Sequence, residues 1–336
     1  MINWNVLFVG LGPLGRMIVD DYLGRRLGRI AGVVDVDPSL AGRRLDEAIS
    51  GREPSDVKIV ASLTEALARI DPMSLTCAVV ATSSDLAQCM PTLRELLSRG
   101  LSIVSTCEEL LYPWLRHEAA AKELEALCAK HGGRCVGTGV NPGFMMDTLP
   151  VALTAVCHDV RRVRVERFQD ASTRRVPFQQ KIGAALSDAE FARRAESGVL
   201  RHVGLGESIH FIDRFLSLGV VKWDETLEPV RAARAMTCAV GKIAPGGISG
   251  VHQTARAWNA AGDEVITLDF QAAIGQENPR DRVVIEGKPS IESIIPGAVH
   301  GDVATSAITL NTIGSLMRAP PGLHTMATLP LTRCAR

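Results

Sequence analysis

Gly10, Gly12 and Gly15 stand in the spacing G-x-G-x-x-G directly after an apolar run over residues 6–9. After a strand, that spacing turns the chain sharply onto the start of a helix, whose unpaired N–H groups and positive dipole end hold a phosphate. Each glycine answers a separate need. Gly10 permits the turn, Gly12 lets backbone approach a pyrophosphate, and Gly15 lets helix and strand pack closely. The whole turn, Gly10, Leu11, Gly12, Pro13, Leu14 and Gly15, reads as a dinucleotide grip. About twenty residues on, Asp35 ends a second apolar strand, where a carboxylate takes the adenosine ribose hydroxyls and repels a 2′-phosphate. NAD is the favoured cofactor. Arg43 and Arg44 lie close enough in sequence to leave NADP as an alternative.

Other chemistry-bearing residues fall at expected strand ends. Thr82 and Ser83 close the apolar run over residues 77–81; they can contact the nicotinamide-side ribose or phosphates, cap the next helix, or do both. Glu108 and Glu109 follow the strand over residues 101–106, at the carboxyl edge where open α/β sheets place ligands. Either they supply acid/base chemistry, or they are first-turn acids complementing a helix dipole. Asn141-Pro142-Gly143-Phe144 closes the last strand of the same sheet and reads as a turn between domains or as a segment facing the nicotinamide.

Several function classes are excluded. The eight cysteines and eight histidines show no C-x-x-C, H-E-x-x-H or H-x-x-x-H arrangement, so metal catalysis is not expected and the thiols read as reduced. Lys plus Arg equals Asp plus Glu at 37 each, which gives no electrostatic reason for nucleic acid or a membrane surface as partner. No apolar stretch approaches a membrane span and the chain runs straight into its first strand, so a cytoplasmic protein is expected.

The elements that position these residues alternate strand and helix through the first half. Residues 57–61 read as strand, 64–70 as helix, 77–81 as a strand buried on both faces, and 86–97 as a helix capped by the Thr82–Asp85 segment. A strand over 101–104, a long helix over 110–130 stopped by Gly132-Gly133, and a strand over 134–140 complete the series. Such a series predicts a doubly wound, right-handed parallel sheet of the Rossmann type. Beyond Asn141 a helix over 147–156 is followed by alternating segments at 161–168, 250–258 and 264–272, with helices at 188–197 and 208–218. That texture predicts an α+β domain on a largely antiparallel sheet. An apolar helix over 302–317 is expected to return to the first domain, so residues 1–141 with 302–336 form one domain and 142–301 the other.

The run Gly137-Thr-Gly-Val-Asn-Pro-Gly-Phe-Met-Met-Asp-Thr-Leu-Pro150 resembles 2,4-diaminopentanoate dehydrogenases and the native amine dehydrogenases related to them. Cys107-Glu-Glu109, the 169–175 and 180–183 segments, and His300-Gly-Asp302 strengthen the resemblance, which spans essentially the whole chain. The first domain is also similar to dihydrodipicolinate reductase, whose paired histidines and lysine-containing segment are missing here. The resemblance implies reversible oxidative deamination of an amine, or reductive amination of a small ketone or aldehyde with ammonia, by a homodimer with a dimerising second domain. It carries the catalytic carboxylate to Glu108, with Glu109 as the fallback, and sets Cys107 and Asn141 beside the cofactor. Phe144 and Met145 become one substrate wall, with Thr173, Val176 and Phe178 opposite, while Arg174 and Arg175 read as solvated or dimer-facing. The apolar motif around Phe144 favours a simple amine or carbonyl over an amino acid, although Lys181, Arg174 and Arg175 leave that question open. The competing readings are an alcohol or semialdehyde dehydrogenase of the same architecture and a non-catalytic dinucleotide sensor.

Overall fold

The computed structural model describes residues 3–49, 56–200 and 202–336. It divides into two compact units, residues 1–144 with 301–336, and residues 145–300. In chain order the first unit begins with β1 (Trp4–Val9), α1 (Pro13–Gly24), β2 (Gly28–Val34), α2 (Leu45–Ala48), β3 (Ile59–Val60) and α3 (Leu63–Arg69). It continues with β4 (Cys77–Val80), α4 (Leu86–Ser98), β5 (Ile103–Ser105), α5 (Glu118–His131) and β6 (Arg134–Gly137). The second unit carries α6 (Thr148–Leu153), β7 (Asp159–Asp170), α7 (Val176–Lys181), α8 (Asp188–Glu196), α9 (Leu205–Leu216) and β8 (Val220–Arg231). Then come β9 (Met236–Cys238), β10 (Gly241–Ile243), β11 (Ile248–Asn259), β12 (Glu264–Ala273), β13 (Arg280–Lys288) and β14 (Ile291–Pro296). The chain closes in the first unit with α10 (Gly301–Leu316) and β15 (Gly322–His324). No helix among the described residues is long and apolar enough to cross a membrane.

The first sheet is parallel throughout, in the order β15-β6-β5-β4-β1-β2-β3. Strand order reverses between β1 and β4, and an open sheet of this kind binds ligands outside the carboxyl ends of its strands at that reversal. The Rossmann expectation therefore holds. Its cause is visible in β4, where Cys77, Ala78, Val79 and Val80 are all buried because helices cover both faces. The long helix expected over residues 110–130 is a difference. Short 3-10 turns over Glu108–Leu111 and Pro113–Leu115 precede α5, since Pro113 has no N–H to give an α-helical ladder. Gly132 ends α5 in the left-handed conformation, φ 77°, as a glycine stop does.

The second sheet has the order β14-β13-β7-β12-β11-β8 and is antiparallel except between β7 and β12. Its strands alternate, so one face carries Val163, Val165, Ala255, Leu268, Val283 and Ile285 into the core. Arg167 lies on that same face, 1% exposed, and meets Asp281 of β13 at 2.5 Å. The opposite face is a lattice of charges. Glu166 accepts from Arg280 and Arg282 at 2.7 and 2.8 Å, Arg282 also meets Glu292, and His252 pairs with Asp269.

The His252 pair gives stability a pH dependence. Its hydrogen bond to Asp269 lifts the imidazole above its ordinary range, against the opposing effect of burial, and Glu228 on the neighbouring strand adds to the lift. A pKa raised on folding stabilises fully below the unfolded value, about 6.5, and the contribution fades as pH rises through the raised one. His252→Gln should therefore lower the melting temperature more at pH 6 than at pH 9; thermal melts showing equal losses would sink the assignment.

Candidate active site

The glycine turn is built as three different problems. Gly10 has φ +99°, and a Cβ there would sit 2.5 Å from the Ala81 carbonyl oxygen, so glycine is required where the ends of β1 and β4 meet. At Gly15 a Cβ would lie 2.0 Å from the Gly10 carbonyl oxygen, which makes glycine the condition for α1 to cross the strand end. Gly12 differs from both. Its φ of −58° suits any residue, and a Cβ would meet no protein atom within 4 Å. The fold itself asks nothing of Gly12, and a glycine there leaves backbone open to close approach by a ligand at the N-terminus of α1. Pro13 occupies the first helical turn, and Leu14 and Gly15 follow it in the segment whose N–H groups precede the intrahelical ladder. This cradle fits a pyrophosphate.

That fit makes a sharp contrast between substitutions. Gly12→Val should cost no more than about 1 kcal/mol of stability, the difference between a good and a poor N-cap, yet weaken dinucleotide binding at least about tenfold. Gly15→Val should fail to fold. Thermal melts and calorimetric titration with NAD on both variants check it, and unaltered binding by Gly12→Val would remove the cradle from consideration.

Asp35 lies just beyond β2. One carboxylate oxygen accepts from the Leu11 N–H and the other from the Asp37 N–H at 2.8 Å, so the residue staples the glycine turn to the end of β2. Leu11 is buried while Asp35 is half-buried. Arg43 and Arg44 pair locally, Arg43 with the Glu47 carbonyl and Arg44 with Asp46 at 2.6 Å.

The segment after β4 is held by its own hydrogen bonds. Asp85 is the N-cap of α4, accepting from the Gln88 N–H; Ser83 Oγ donates to Gln88 and accepts from the Asp85 N–H, and Thr82 Oγ1 lies 3.6 Å from Cys89 Sγ. The capping role is thus met by Asp85 and Ser83. Cys107 is 1% exposed; its thiol donates to the Ser84 carbonyl at 3.2 Å and its N–H to Ser105 Oγ at 3.1 Å, which fixes the start of the turn that follows β5. The Cys89 thiol beside it donates to the Ser83 carbonyl at 3.4 Å.

Glu108 and Glu109 open the 3-10 turn beyond β5, and the fold gives them different tasks. Glu109 Oε2 accepts from the Leu86 N–H at 2.9 Å and meets His117 Nε2 at 2.8 Å, while its own N–H donates to the Ser84 carbonyl at 3.3 Å. One carboxylate thereby ties the turn to the start of α4 and to the residue that caps α5. Nothing in the sequence marks this staple, because His117 is eight residues from Glu109. Glu108 is half-buried, with Oε2 closed off from solvent. Gly137 of β6 lets the turn lie close, since a Cβ there would stand 2.6 Å from the Leu110 backbone.

The segment after β6 folds back on itself. A Cβ at Gly143, φ +131°, would stand 2.4 Å from the Gly139 nitrogen, and the Val140 N–H donates to Thr305 Oγ1 of α10 at 3.3 Å. Asn141 is held there with both amide atoms buried and no hydrogen-bond partner in the protein. Such an orphaned carboxamide costs about 1–3 kcal/mol, a cost that a polar ligand atom within its reach would offset. Phe144 is half-buried at the end of the first unit.

In the second unit Met145 is 2% exposed, while Thr173 is exposed in the loop before α7, Val176 is exposed at its first turn, and Phe178 is half-buried. Arg174 is a correction to the solvated or dimer-facing expectation. It is buried, donating to Gln169 Oε1 at 2.8 Å and lying 3.9 Å over the Phe178 ring. Both contacts form only once β7 and α7 fold together, and the guanidinium face stacks on the ring. Arg175 is half-buried. Gln179 also escaped sequence reasoning: its amide donates to the Ala171, Ser172 and Arg174 carbonyls and accepts from the Ala239 N–H, which clamps the loop carrying Thr173. Among the described residues no three His, Cys, Asp or Glu side chains gather as a metal site.

Comparison with known proteins decides the family. A family model described as the 2,4-diaminopentanoate dehydrogenase C-terminal domain matches residues 144–336. The chain belongs to that family. It is similar to the 2,4-diaminopentanoate dehydrogenase of Acetoanaerobium sticklandii, 26% identical over 98% of this chain and 94% of that one. It is also similar to the amine dehydrogenase of Streptomyces virginiae, 22% identical over 96% and 95% of the two chains. The solved amine dehydrogenase from Mycobacterium smegmatis shares the fold, with a TM-score of 0.85 at 22% identity, over 99% of this chain and 97% of that one. These named relatives of the family are oxidoreductases acting on CH–NH2 donors.

Proposed function

We propose that this chain is an NAD(P)-dependent amine dehydrogenase that interconverts a small amine with its ketone or aldehyde and ammonia. Family membership supports the reaction class. The single observation carrying the mechanism is the division of labour at the carboxyl edge of β5: Glu109 is tied to Leu86 and His117, and Glu108 stands beside it with Oε2 shielded from water. The nicotinamide, when bound, supplies or accepts the hydride. Glu108 does the proton work. In reductive amination it takes a proton from ammonium so that ammonia can attack the carbonyl, returns one as the carbinolamine loses water, and faces the resulting iminium cation with its negative charge. In the reverse direction it activates the water that attacks that cation.

Asp35 and the Gly10–Gly15 cradle hold the dinucleotide, Asp35 favouring NAD over its 2′-phosphate analogue. Thr82, Ser83, the Cys107 backbone and Asn141 position its nicotinamide half. Phe144, Met145, Thr173, Val176 and Phe178 form the substrate walls, and their apolar character selects a simple amine or carbonyl. The protein acts as a homodimer in this reading.

The deciding experiment follows oxidation of NADH and NADPH with small ketones and aldehydes, with and without ammonium. Turnover should require ammonium and yield the amine. Turnover indifferent to ammonium would make the enzyme an alcohol or semialdehyde dehydrogenase instead.

A further inference from the structure

A cavity of about 540 Å³ lies in the first unit between α10, β1 and the last residues of the chain, lined in part by Trp4, Gly314, Arg318, Arg333 and Arg336. Its size falls in the range of small-molecule sites, about 300–1,000 Å³. The outer wall is a tethered strap. On one side of Arg333, Thr332 Oγ1 donates to Ser315 Oγ at 3.1 Å and Ser315 Oγ donates to the Leu331 carbonyl at 3.3 Å. On the other, the Ala335 N–H donates to Asn311 Oδ1 at 2.9 Å and the Ala335 carbonyl accepts from Arg25 at 2.8 Å. Arg333 and Cys334 span the mouth between these anchors.

The lining has a consistent chemistry. It includes three arginines and no Asp or Glu side chain, and none of Arg318, Arg333 and Arg336 forms an ion pair among the described residues; Arg318 Nη2 donates to Ser315 Oγ at 3.3 Å and to the Leu331 carbonyl at 3.4 Å, which holds the guanidinium against the strap. Arg25 beside the strap is answered by Asp21. The floor is Gly314, inside α10, where glycine costs about 1 kcal/mol of helix stability. A Cβ there would stand 3.3 Å from Trp4 Cζ2 and 3.6 Å from Arg318 Nη1, so the glycine keeps an indole edge and a guanidinium open side by side. A guanidinium without an acidic partner keeps N–H donors for phosphate or carboxylate oxygens, and an indole receives a planar ring.

We infer that this cavity binds a small anion bearing a planar ring, its phosphate or carboxylate on Arg318 and Arg333 and its ring on Trp4. The site is separate from the glycine cradle and independent of the reaction proposed above.

Isothermal titration with adenosine 5′-monophosphate, benzoate and inorganic phosphate tests it on the intact chain. A ring anion should bind saturably below about 1 mM in the wild type and in Gly12→Val. The affinity should fall at least about tenfold in Arg318→Ala/Arg333→Ala and in Gly314→Leu, and several-fold in Arg333→Ala alone, an exposed position whose loss leaves the fold intact. Binding of the nucleotide alone assigns a phosphorylated ligand, and binding of benzoate as well assigns ring anions in general. The inference is overturned if neither ring anion gives saturable heat, if the arginine variants bind as the wild type does, if Gly12→Val abolishes binding, or if inorganic phosphate binds as tightly as the nucleotide.

Discussion

Replacing Glu108 by glutamine should lower kcat by about 10²- to 10⁴-fold, the usual contribution of a positioned acid/base group, and leave NADH affinity unchanged. The amide keeps the size and the neutral hydrogen-bonding capacity of the side chain but can neither take the proton from ammonium nor return one to the departing water. It also lacks the charge that faces the iminium. Glu109→Gln should behave differently. Its Oε2 receives the Leu86 N–H and His117, so losing the carboxylate weakens that staple by about 1–3 kcal/mol and appears first as a lower melting temperature. Stopped-flow single turnovers with a ketone and ammonium, beside calorimetric cofactor titration, separate the two effects. Full activity in Glu108→Gln would end its assignment as the proton carrier. Loss of cofactor binding with activity would mean that the turn had collapsed.

The difference between the two glutamates also marks how far sequence alone reaches. Adjacent acids just past a strand are equally placed by any pattern, and only the three-dimensional course of α4 and α5 gives Glu109 its donors. The parallel sheet was legible because it depends on local information: apolar runs buried on both faces, each followed by a helical period. The glycine turn was legible as a motif, yet its three glycines matter for separate reasons that only the neighbours reveal. Ala81 excludes a Cβ at Gly10, the Gly10 carbonyl excludes one at Gly15, and no protein atom excludes one at Gly12. The helix expected over 110–130 begins only at Glu118, because Pro113 has no N–H to give a continuous ladder. Arg174 was misplaced because arginine is ordinarily a surface residue, and the Phe178 ring and Gln169 amide that retain it are brought together by tertiary folding.

Arg167 shows the same dependence on tertiary partners in energetics, and breaking its buried ion pair should be strongly destabilising. The alternation of β7 already sets residues 163, 165 and 167 on one face, so sequence parity directs this arginine inward. What parity omits is the partner, Asp281, 114 positions away. The pair is 1% and 2% exposed. Arg167 also donates to the Val299 carbonyl at 3.1 Å, and Asp281 accepts from the Val299 N–H at 2.7 Å, so the two ions fasten β7, β13 and the segment beyond β14 together. Burial pulls the Arg167 guanidinium below its ordinary range and the like charge of Arg174 works in the same sense, while Asp281 pushes back. Asp281→Asn therefore leaves a buried cation with no counterion and should cost about 3–5 kcal/mol, whereas Arg167→Met/Asp281→Leu, which removes both charges, should recover most of that loss. Arg167→Lys should not rescue, since an ammonium cannot reproduce the two-pronged contact with Asp281 and Val299. Urea denaturation of the full chain, read at the transition of the second unit, gives the comparison. A double variant as unstable as Asp281→Asn would show that the contacts to Val299, and not charge pairing, hold this corner of the sheet.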